Sequence, residues 1–253
     1  MGSTVETAVV GLLEKEIERT WPWLSLAQLF FSRMGRYGEL LASWGSRFSL
    51  VSRPTDPEAV VFHIVDCLAP LGFELQGSSP RPYFEAGGRI ADIGSGAGFP
   101  GVVLASACDA HFVLFEPRRK RAGFLRIVVV ELGLKNVRVE ERKLPFSESE
   151  SEGCFDLALG RAVGPVADFF TLSASILKPS AHAIFYASAR QAREINLTQN
   201  EAFRIHGIKR YAVKSGWARE QERRGNGIAP VLRERALVYF ERIEREEKLL
   251  ADG

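Results

Sequence analysis

A glycine-rich segment near the middle of the chain constrains the fold more than any other feature. Asp92–Gly101 reads Asp-Ile-Gly-Ser-Gly-Ala-Gly-Phe-Pro-Gly and overlaps the end of the short apolar run Arg89–Ile93. Glycines allow a sharp backbone turn and the close approach of a ligand, because no Cβ stands in the way. The pattern predicts a buried strand, a tight turn and a helix, in that order.

Strand and helix patterns alternate after this turn. Apolar runs predict strands at 89–93, 111–115, 137–141, 155–159 and 181–187, and helical patterns lie at 102–108, 118–132 and 166–177. This alternation is typical of βαβ units, and we therefore predict an α/β fold with a doubly wound, Rossmann-like parallel sheet. Residues 237–243 form a last apolar run, 77–88 a predicted loop, and 191–199 and 219–235 polar segments that we expect to be exposed.

The first 80 residues have a different pattern. Apolar residues recur at helical spacing in 5–19 and 24–44, and Asp56 followed by Pro57 is typical of the start of a third helix, which would run to about Leu71. We predict an N-terminal helical extension, 1–80, packed on a core domain, 81–245, with a charged tail at 246–253.

Composition excludes several classes of protein. Three cysteines and four histidines lack the paired spacing of a disulfide framework or a zinc site, which predicts no metal and a cytoplasmic location. No apolar run reaches the ~18–20 residues of a membrane span, and no secretory signal is present. A net charge of +2 neither requires nor excludes nucleic acid.

The glycine turn is compatible with two cofactors or with none. Gly96, Gly98 and the glycine at position 101 fit the dinucleotide pattern GxGxxG, which alone is a weak signal. Pro100 removes an N–H where a pyrophosphate would need one. S-adenosylmethionine has no phosphate, and Asp92 suits its cationic methionine end. Glu116, which ends the next strand, is placed to accept hydrogen bonds from a ribose. We therefore favour S-adenosylmethionine over a dinucleotide or an unliganded turn.

Five stretches, in order, resemble a known family. They are Leu41–Trp44 with Phe48–Val51, His63–Leu68, Asp92–Gly101, Glu116 with Lys120, Arg121, Phe124 and Leu125, and Gly160–Ala162. With these motifs the chain resembles the bacterial 16S ribosomal RNA guanine-N7 methyltransferases, also called the glucose-inhibited division protein B family. The resemblance extends from about residue 26 to 177 and, more weakly, to 243.

The resemblance implies a class I methyltransferase that uses S-adenosylmethionine and acts on small-subunit (16S) ribosomal RNA. It implies that Gly94 and Phe99 line the cofactor pocket and that Glu116 binds the ribose. Lys143 and Leu144 occupy the positions that flank the adenine. We expect a monomer, and no membrane or metal partner.

By the same resemblance Arg161, after the fourth strand, is the candidate catalytic residue beside the cofactor and the target base. Ligands bind at such strand ends in open α/β sheets, although a surface arginine is the alternative. Guanine N7 carries a lone pair and no proton, so its methylation needs no general base. The segment Leu159–Ala162 also lacks the Asn/Asp-Pro-Pro-aromatic motif of many exocyclic-amine methyltransferases. His63 and Asp66, three residues apart, are expected to support the site from one helix face.

Other features leave alternatives open. Ser49, Ser188 and Lys143 depart from the family pattern, which leaves the exact target nucleotide open. Arg118–Arg121 is a cationic run that could bind phosphates or only cover a solvated helix, and Trp44 and Phe48 could stack on a base or pack in the core. The rival functions are methylation of a small molecule or protein, and a non-catalytic RNA-binding module. An NAD-dependent oxidoreductase is a more distant alternative.

Overall fold

A computed structural model of the chain describes residues 4–48, 50–73, 81–85, 87–145, 154–195, 202–215 and 231–243. Its elements run in the order α1 (Thr4–Thr20), α2 (Gln28–Phe48), α3 (Pro57–Cys67), α4 (Ala69–Gly72), α5 (Arg81–Glu85), β1 (Arg89–Ile93), α6 (Gly101–Ala107), β2 (His111–Phe115), α7 (Arg119–Glu131), β3 (Val137–Glu140), β4 (Phe155–Arg161), α8 (Val166–Ala174), β5 (Leu177–Ser188), α9 (Ala189–Glu194), β6 (Phe203–Ser215) and β7 (Val231–Arg242).

The strands form one seven-stranded sheet in the order β3-β2-β1-β4-β5-β7-β6. The pairs from β3 to β5 are parallel, whereas β7 pairs antiparallel with both β5 and β6. The chain winds outward from β1 through β2 to β3 and then crosses to β4 on the other side. This confirms the doubly wound α/β fold and creates a switch point at the carboxyl ends of β1 and β4, where open sheets bind ligands.

Apolar residues cover both faces of the sheet. One core layer joins α1, α2, α3, α6 and α7 to the sheet, and the other joins α8 and α9 to the opposite face. In the first layer, Trp21 is buried, its Nε1 donates to the Val65 carbonyl at 3.0 Å, and its ring packs against Phe73 and Tyr211. These contacts attach the N-terminal helices to both the core and β6.

The start of α3 follows the prediction from its sequence. Asp56 lies at the N-cap, its carboxylate accepts hydrogen bonds from the N–H groups of Glu58 and Ala59, and Pro57 takes the first helical position. Such a cap stabilises a helix by about 1 kcal/mol. It fixes the entry of the helix that carries His63 and Asp66.

The structure corrects three local predictions. Helix α8 ends at Ala174, before the predicted 177, and β5 starts at Leu177, because Pro179 cannot extend a helix and favours extended backbone before it. The predicted loop 77–88 contains α5. Strand β6 was missed because its many charged residues, typical of an edge strand, hide the alternating pattern.

Arg235 is a further correction, because its polar surroundings predicted exposure. Its side chain is only 17% exposed and is bonded to Asp66.

No helix in the described ranges is both long and apolar enough to cross a membrane.

Candidate active site

The glycine loop leaves β1 and is held against the end of β2. Gly94, Gly96 and Gly98 have φ values of +69°, +58° and +109°, a region in which only glycine is unstrained. The N–H groups of Gly94 and Ser95 both donate to the Phe115 carbonyl, at 2.9 and 3.1 Å. Backbone bonds to the neighbouring strand therefore hold the loop in this conformation.

Glu116 is tied to the same loop. One carboxylate oxygen accepts from the Gly96 N–H at 3.0 Å, and the other accepts from the Arg118 N–H at 2.8 Å. The residue is 3% exposed. Because a carboxylate offers about four acceptor positions, these two bonds orient the group and leave capacity for the hydroxyls of a ligand.

Asp92 lies under the loop and is fully buried. Its Oδ2 accepts from the Gly101 N–H at 3.1 Å, whereas Oδ1 has no hydrogen-bond partner among the described residues. Burial raises the pKa of Asp92 to about 7. A buried polar atom without a partner is costly, so Oδ1 is suited to a ligand that brings a donor or a positive charge.

An apolar cleft of about 450 Å³ opens beside the loop. Gly94, Lys143 and Leu144, three of the residues predicted to bind the cofactor, are on its wall. Its full lining is Ile93, Gly94, Phe115, Pro117, Arg142, Lys143, Leu144, Pro145, Val163, Asp168, Thr171 and Leu172. Leu144 is buried while Arg142 and Lys143 are exposed, so the cleft combines an apolar wall with a cationic rim.

Phe99 lies behind the glycine loop, against side chains of α2 and α3. It is 5% exposed, and its ring packs against Tyr37 and His63 with centroid distances of 5.4 and 5.3 Å. It does not line the cleft. Tyr37 donates from its hydroxyl to the Ala97 carbonyl at 2.7 Å, so Phe99 and Tyr37 together support the loop from α2.

Arg161 ends β4 and turns toward α3. Its Nε donates to Asp66 Oδ2 at 3.0 Å, and its Nη2 contacts His63 Nδ1 at 2.7 Å. The guanidinium also lies 5.6 Å from the centre of the Phe99 ring. With 13% of its side chain exposed, Arg161 is close to the loop but is not among the residues that line the cleft.

Asp66 is the centre of this network and is completely buried. Arg235 donates to both of its oxygens, at 3.0 and 3.1 Å, and the Tyr211 hydroxyl donates at 2.7 Å. Burial alone would raise the pKa of Asp66, but the charges of Arg235 and Arg161 and the bonds from Arg235 and Tyr211 lower it to about 2. The carboxylate is therefore charged at neutral pH.

His63 is neutral in this setting. Burial, followed by the charge of Arg161, lowers its pKa to about 3. Because Arg161 has only donors, Nδ1 of His63 accepts and its proton is on Nε2. His63 thus orients Arg161, which matches the supporting role predicted for it.

The structure brings the predicted residues into two adjoining groups. In the first group Gly94, Lys143 and Leu144 line the cleft, and Asp92, Gly96, Gly98 and Glu116 belong to the glycine loop or are bonded to it without lining the cleft; Arg161 and Phe99 form the second group, behind the loop. The prediction missed Tyr37, Tyr211 and Arg235. The spacing of His63 and Asp66 indicated a shared helix face, but no local pattern indicated which distant strands would meet it.

The predicted basic surface is only partly available to a polyanion. Arg118, Arg119 and Lys120 are exposed at the start of α7, next to the cleft. Others pair with carboxylates on the surface: Arg36 with Glu39 and Glu131, Arg53 with Asp56, Arg126 with Glu141, and Arg138 with Glu140. Ser49 and the side chains of 46–48 lie outside the described residues.

The sequence matches one family model and relatives that carry the same name. Residues 31–223 match the GidB family, described as rRNA small subunit methyltransferase G. The ribosomal RNA small subunit methyltransferase G of Wolinella succinogenes is 35% identical over 73% of this chain and 89% of its own. The protein of that name from Mycolicibacterium gilvum is 33% identical over 76% of this chain and 82% of its own.

A solved structure agrees on the fold. The tRNA methyltransferase TrmI from Aquifex aeolicus matches with a TM-score of 0.50 at 17% identity, covering 72% of this chain and 69% of that one.

Proposed function

The chain belongs to the GidB family, rRNA small subunit methyltransferase G, and from that premise we propose that it methylates guanine N7 in small-subunit (16S) ribosomal RNA with S-adenosylmethionine. The observation that carries the proposal is the loop and cleft at the switch point of the sheet. The proposed substrate implies a cytoplasmic enzyme. We also propose the division into an extension at 1–80, a catalytic domain at 81–245 and a tail at 246–253.

The residues present fit the cofactor. The apolar wall of the cleft, including Phe115 and Leu144, suits the faces of an adenine, and Glu116 has acceptor capacity for the ribose hydroxyls. Oδ1 of Asp92 lacks a partner, which suits the cationic methionine end. When bound, S-adenosylmethionine supplies an electrophilic methyl carbon on a positively charged sulfur.

The target atom explains the choice of side chains. Guanine N7 has a free lone pair and no proton, so the chain needs to orient the base and exclude water rather than remove a proton. Alignment of two bound reactants can lower a barrier by ~7–11 kcal/mol. The site supports this interpretation because His63 is neutral and its Nδ1 already accepts a bond from Arg161.

We propose Arg161 as the catalytic residue nearest the target base and Asp66 as the residue that positions it. Arg161 stands at the carboxyl end of β4, beside the glycine loop. The exposed cations Arg118, Arg119 and Lys120 would bind RNA phosphates near the cleft, which predicts that binding weakens as salt rises.

Calorimetric titration with S-adenosylmethionine, followed by transfer of a tritiated methyl group to small ribosomal subunits that lack their native methylations, tests the proposal. We expect cofactor binding and label at one guanine N7. Labelling of only a small molecule or protein, or cofactor binding with no transfer, would favour a rival function, and absence of cofactor binding would contradict the proposal.

A glycine pair gives the matched variants. Gly94→Asp adds bulk and charge at the cleft wall, whereas Gly133→Asp introduces the same residue at a similar φ of +60° where nothing lies within 4 Å. We expect Gly94→Asp to weaken cofactor binding at least about tenfold, or about 1.4 kcal/mol, and Gly133→Asp to leave it unchanged. Equal losses would show that backbone strain, and not the pocket, is responsible.

A further inference from the structure

Strand pairing gathers two histidines and a glutamate into one cluster. His182 of β5 lies directly opposite Glu241 of β7, and His206 lies at the register shift of β6 between Ile205 and Gly207. One potential ligand atom from each of the three residues lies within 4.8 Å of the others. Their positions along the chain predicted no metal site, because they come from three strands rather than one local motif.

The cluster lies at the end of the sheet opposite the cleft. The carboxyl end of β5, at Ser188, pairs with Arg235, whereas His182 pairs with Glu241 near the end of β7. Ligands for catalysis bind at the carboxyl ends of parallel strands, so a site here is separate from the proposed active site. His206 is exposed and the other two are half-buried, which leaves the cluster open to an ion from solvent.

The donor set suits a zinc-class ion. Two imidazoles and one carboxylate are a recognised ligand combination for Zn²⁺, with the fourth position filled by water. His206 Nε2 is already 2.8 Å from a Glu241 oxygen, so an ion would take the place of the proton that they share.

Neighbouring side chains orient His182. Its Nδ1 is 2.5 Å from the Tyr83 hydroxyl, and its ring stacks on Tyr239 with centroids 4.8 Å apart and planes 3° apart. The Tyr83 bond leaves Nε2 for a metal. A hydrogen bond at the second ring nitrogen is the usual support of a metal-binding histidine.

We propose that His182, His206 and Glu241 bind one divalent ion of the zinc class and thereby join β5, β6 and β7. Such an ion would link the antiparallel strands that carry Tyr211 and Arg235. The proposal does not depend on the methyltransferase function.

Arg204 competes with the ion. Its Nη2 lies 2.6 Å from the same Glu241 oxygen, and its side chain is 59% exposed. Surface ion pairs of this kind contribute little stability, so the arginine can move aside. Removal of its charge should therefore tighten metal binding, whereas a cluster that exists only as an ion pair would gain nothing.

Titration of the full chain with Zn²⁺ after removal of metals by a chelator, read by calorimetry and by thermal unfolding, tests the site. We expect one saturable ion per chain and a rise in unfolding temperature, as for any ligand of the folded state. His206→Ala should abolish both effects. Because His206 is exposed, this variant is expected to fold; His111→Ala, another exposed histidine, is the matched control and should change neither.

Two further variants sharpen the test. Tyr83→Phe should weaken Zn²⁺ binding by about tenfold or more, and Arg204→Gln should strengthen it. Binding that survives His206→Ala, or that is lost instead when Cys108 and Cys154 are replaced by serine, would overturn the proposal. So would the absence of saturable binding in the unaltered chain.

Discussion

Asp66 and Asp92 are both completely buried, yet their surroundings shift their pKa values in opposite directions. Asp66 accepts bonds from Arg161, Arg235 and Tyr211, and its pKa is lowered to about 2. Asp92 accepts a bond from the Gly101 N–H, one of its oxygens has no partner among the described residues, and burial raises its pKa to about 7 despite the opposing effects of Ser95 and Gly101. Burial alone therefore does not decide the charge of a carboxylate; the positive charges beside it and the hydrogen bonds it accepts decide it as well.

The two carboxylates differ in their hydrogen bonding: both oxygens of Asp66 accept bonds, whereas Oδ1 of Asp92 has no partner among the described residues. All the donors that Asp66 uses come from the chain itself, so its role is to hold Arg161 and the β6–β7 hairpin in place. Asp92 is short of donors, and the cationic end of the proposed cofactor would supply what is missing. Folding supplies the partners of Asp66, and we propose that cofactor binding supplies the missing partner of Asp92.

The largest expected effect tests the role of Asp66, the first half of this comparison. Asp66→Asn leaves two buried arginines without their counter-charge, and breaking a buried pair in this way costs about 3–5 kcal/mol. Denaturant unfolding would measure the loss. Asp156→Asn is the matched control, because Asp156 pairs with Lys178 on the surface and such pairs contribute about 0–1 kcal/mol. Similar losses in the two variants would mean that Asp66 holds nothing together.

The same two residues show how far the sequence could be interpreted. Asp92, the glycines and Glu116 follow from one strand, one turn and the next strand, so a local pattern was enough to predict their neighbourhood. The parallel pairing of β1 to β5 was predicted from the alternation of strands and helices along the chain.

The Asp66 network could not be predicted in that way. Its members come from α3, β4, β6 and β7, and Arg235 lies in a polar stretch that is indistinguishable from an exposed one. The antiparallel return of β7 between β5 and β6 brings them together. The packing of Phe99 could not be predicted for a related reason: its ring contacts Tyr37, from a helix about 60 residues earlier.

A smaller effect is expected from replacing Arg161, whose positive charge lowers the pKa of both Asp66 and Asp92. Arg161→Lys keeps the positive charge toward Asp66 and Asp92 but loses the planar guanidinium that contacts Asp66 and His63 together. We expect the rate of methyl transfer to fall about tenfold, or about 1.4 kcal/mol in the barrier, with little change in cofactor affinity. Arg190→Lys, at an exposed pair on α9, is the control. A loss of affinity at unchanged rate would remove Arg161 from the catalytic role.

The last prediction concerns the dependence of stability on pH and tests the role of Asp92, the second half of the comparison. Between about pH 4 and 7, Asp92 is protonated when folded but ionised when unfolded, so the folded protein binds more protons and its stability falls as pH rises. The slope from this one group is at most about 1.4 kcal/mol per pH unit. Asp66 has the opposite effect on stability, and at lower pH, because the stability that it contributes is lost only as pH falls from about 4 toward 2.

Unfolding free energies of the unaltered chain and of Asp92→Asn, measured across pH 4–7, isolate the Asp92 slope, with the exposed Asp109→Asn as control. Saturating S-adenosylmethionine should reduce the slope of unfolding free energy against pH, because a nearby cation favours the ionised carboxylate. A slope that is the same with and without the cofactor would place Asp92 outside the binding site.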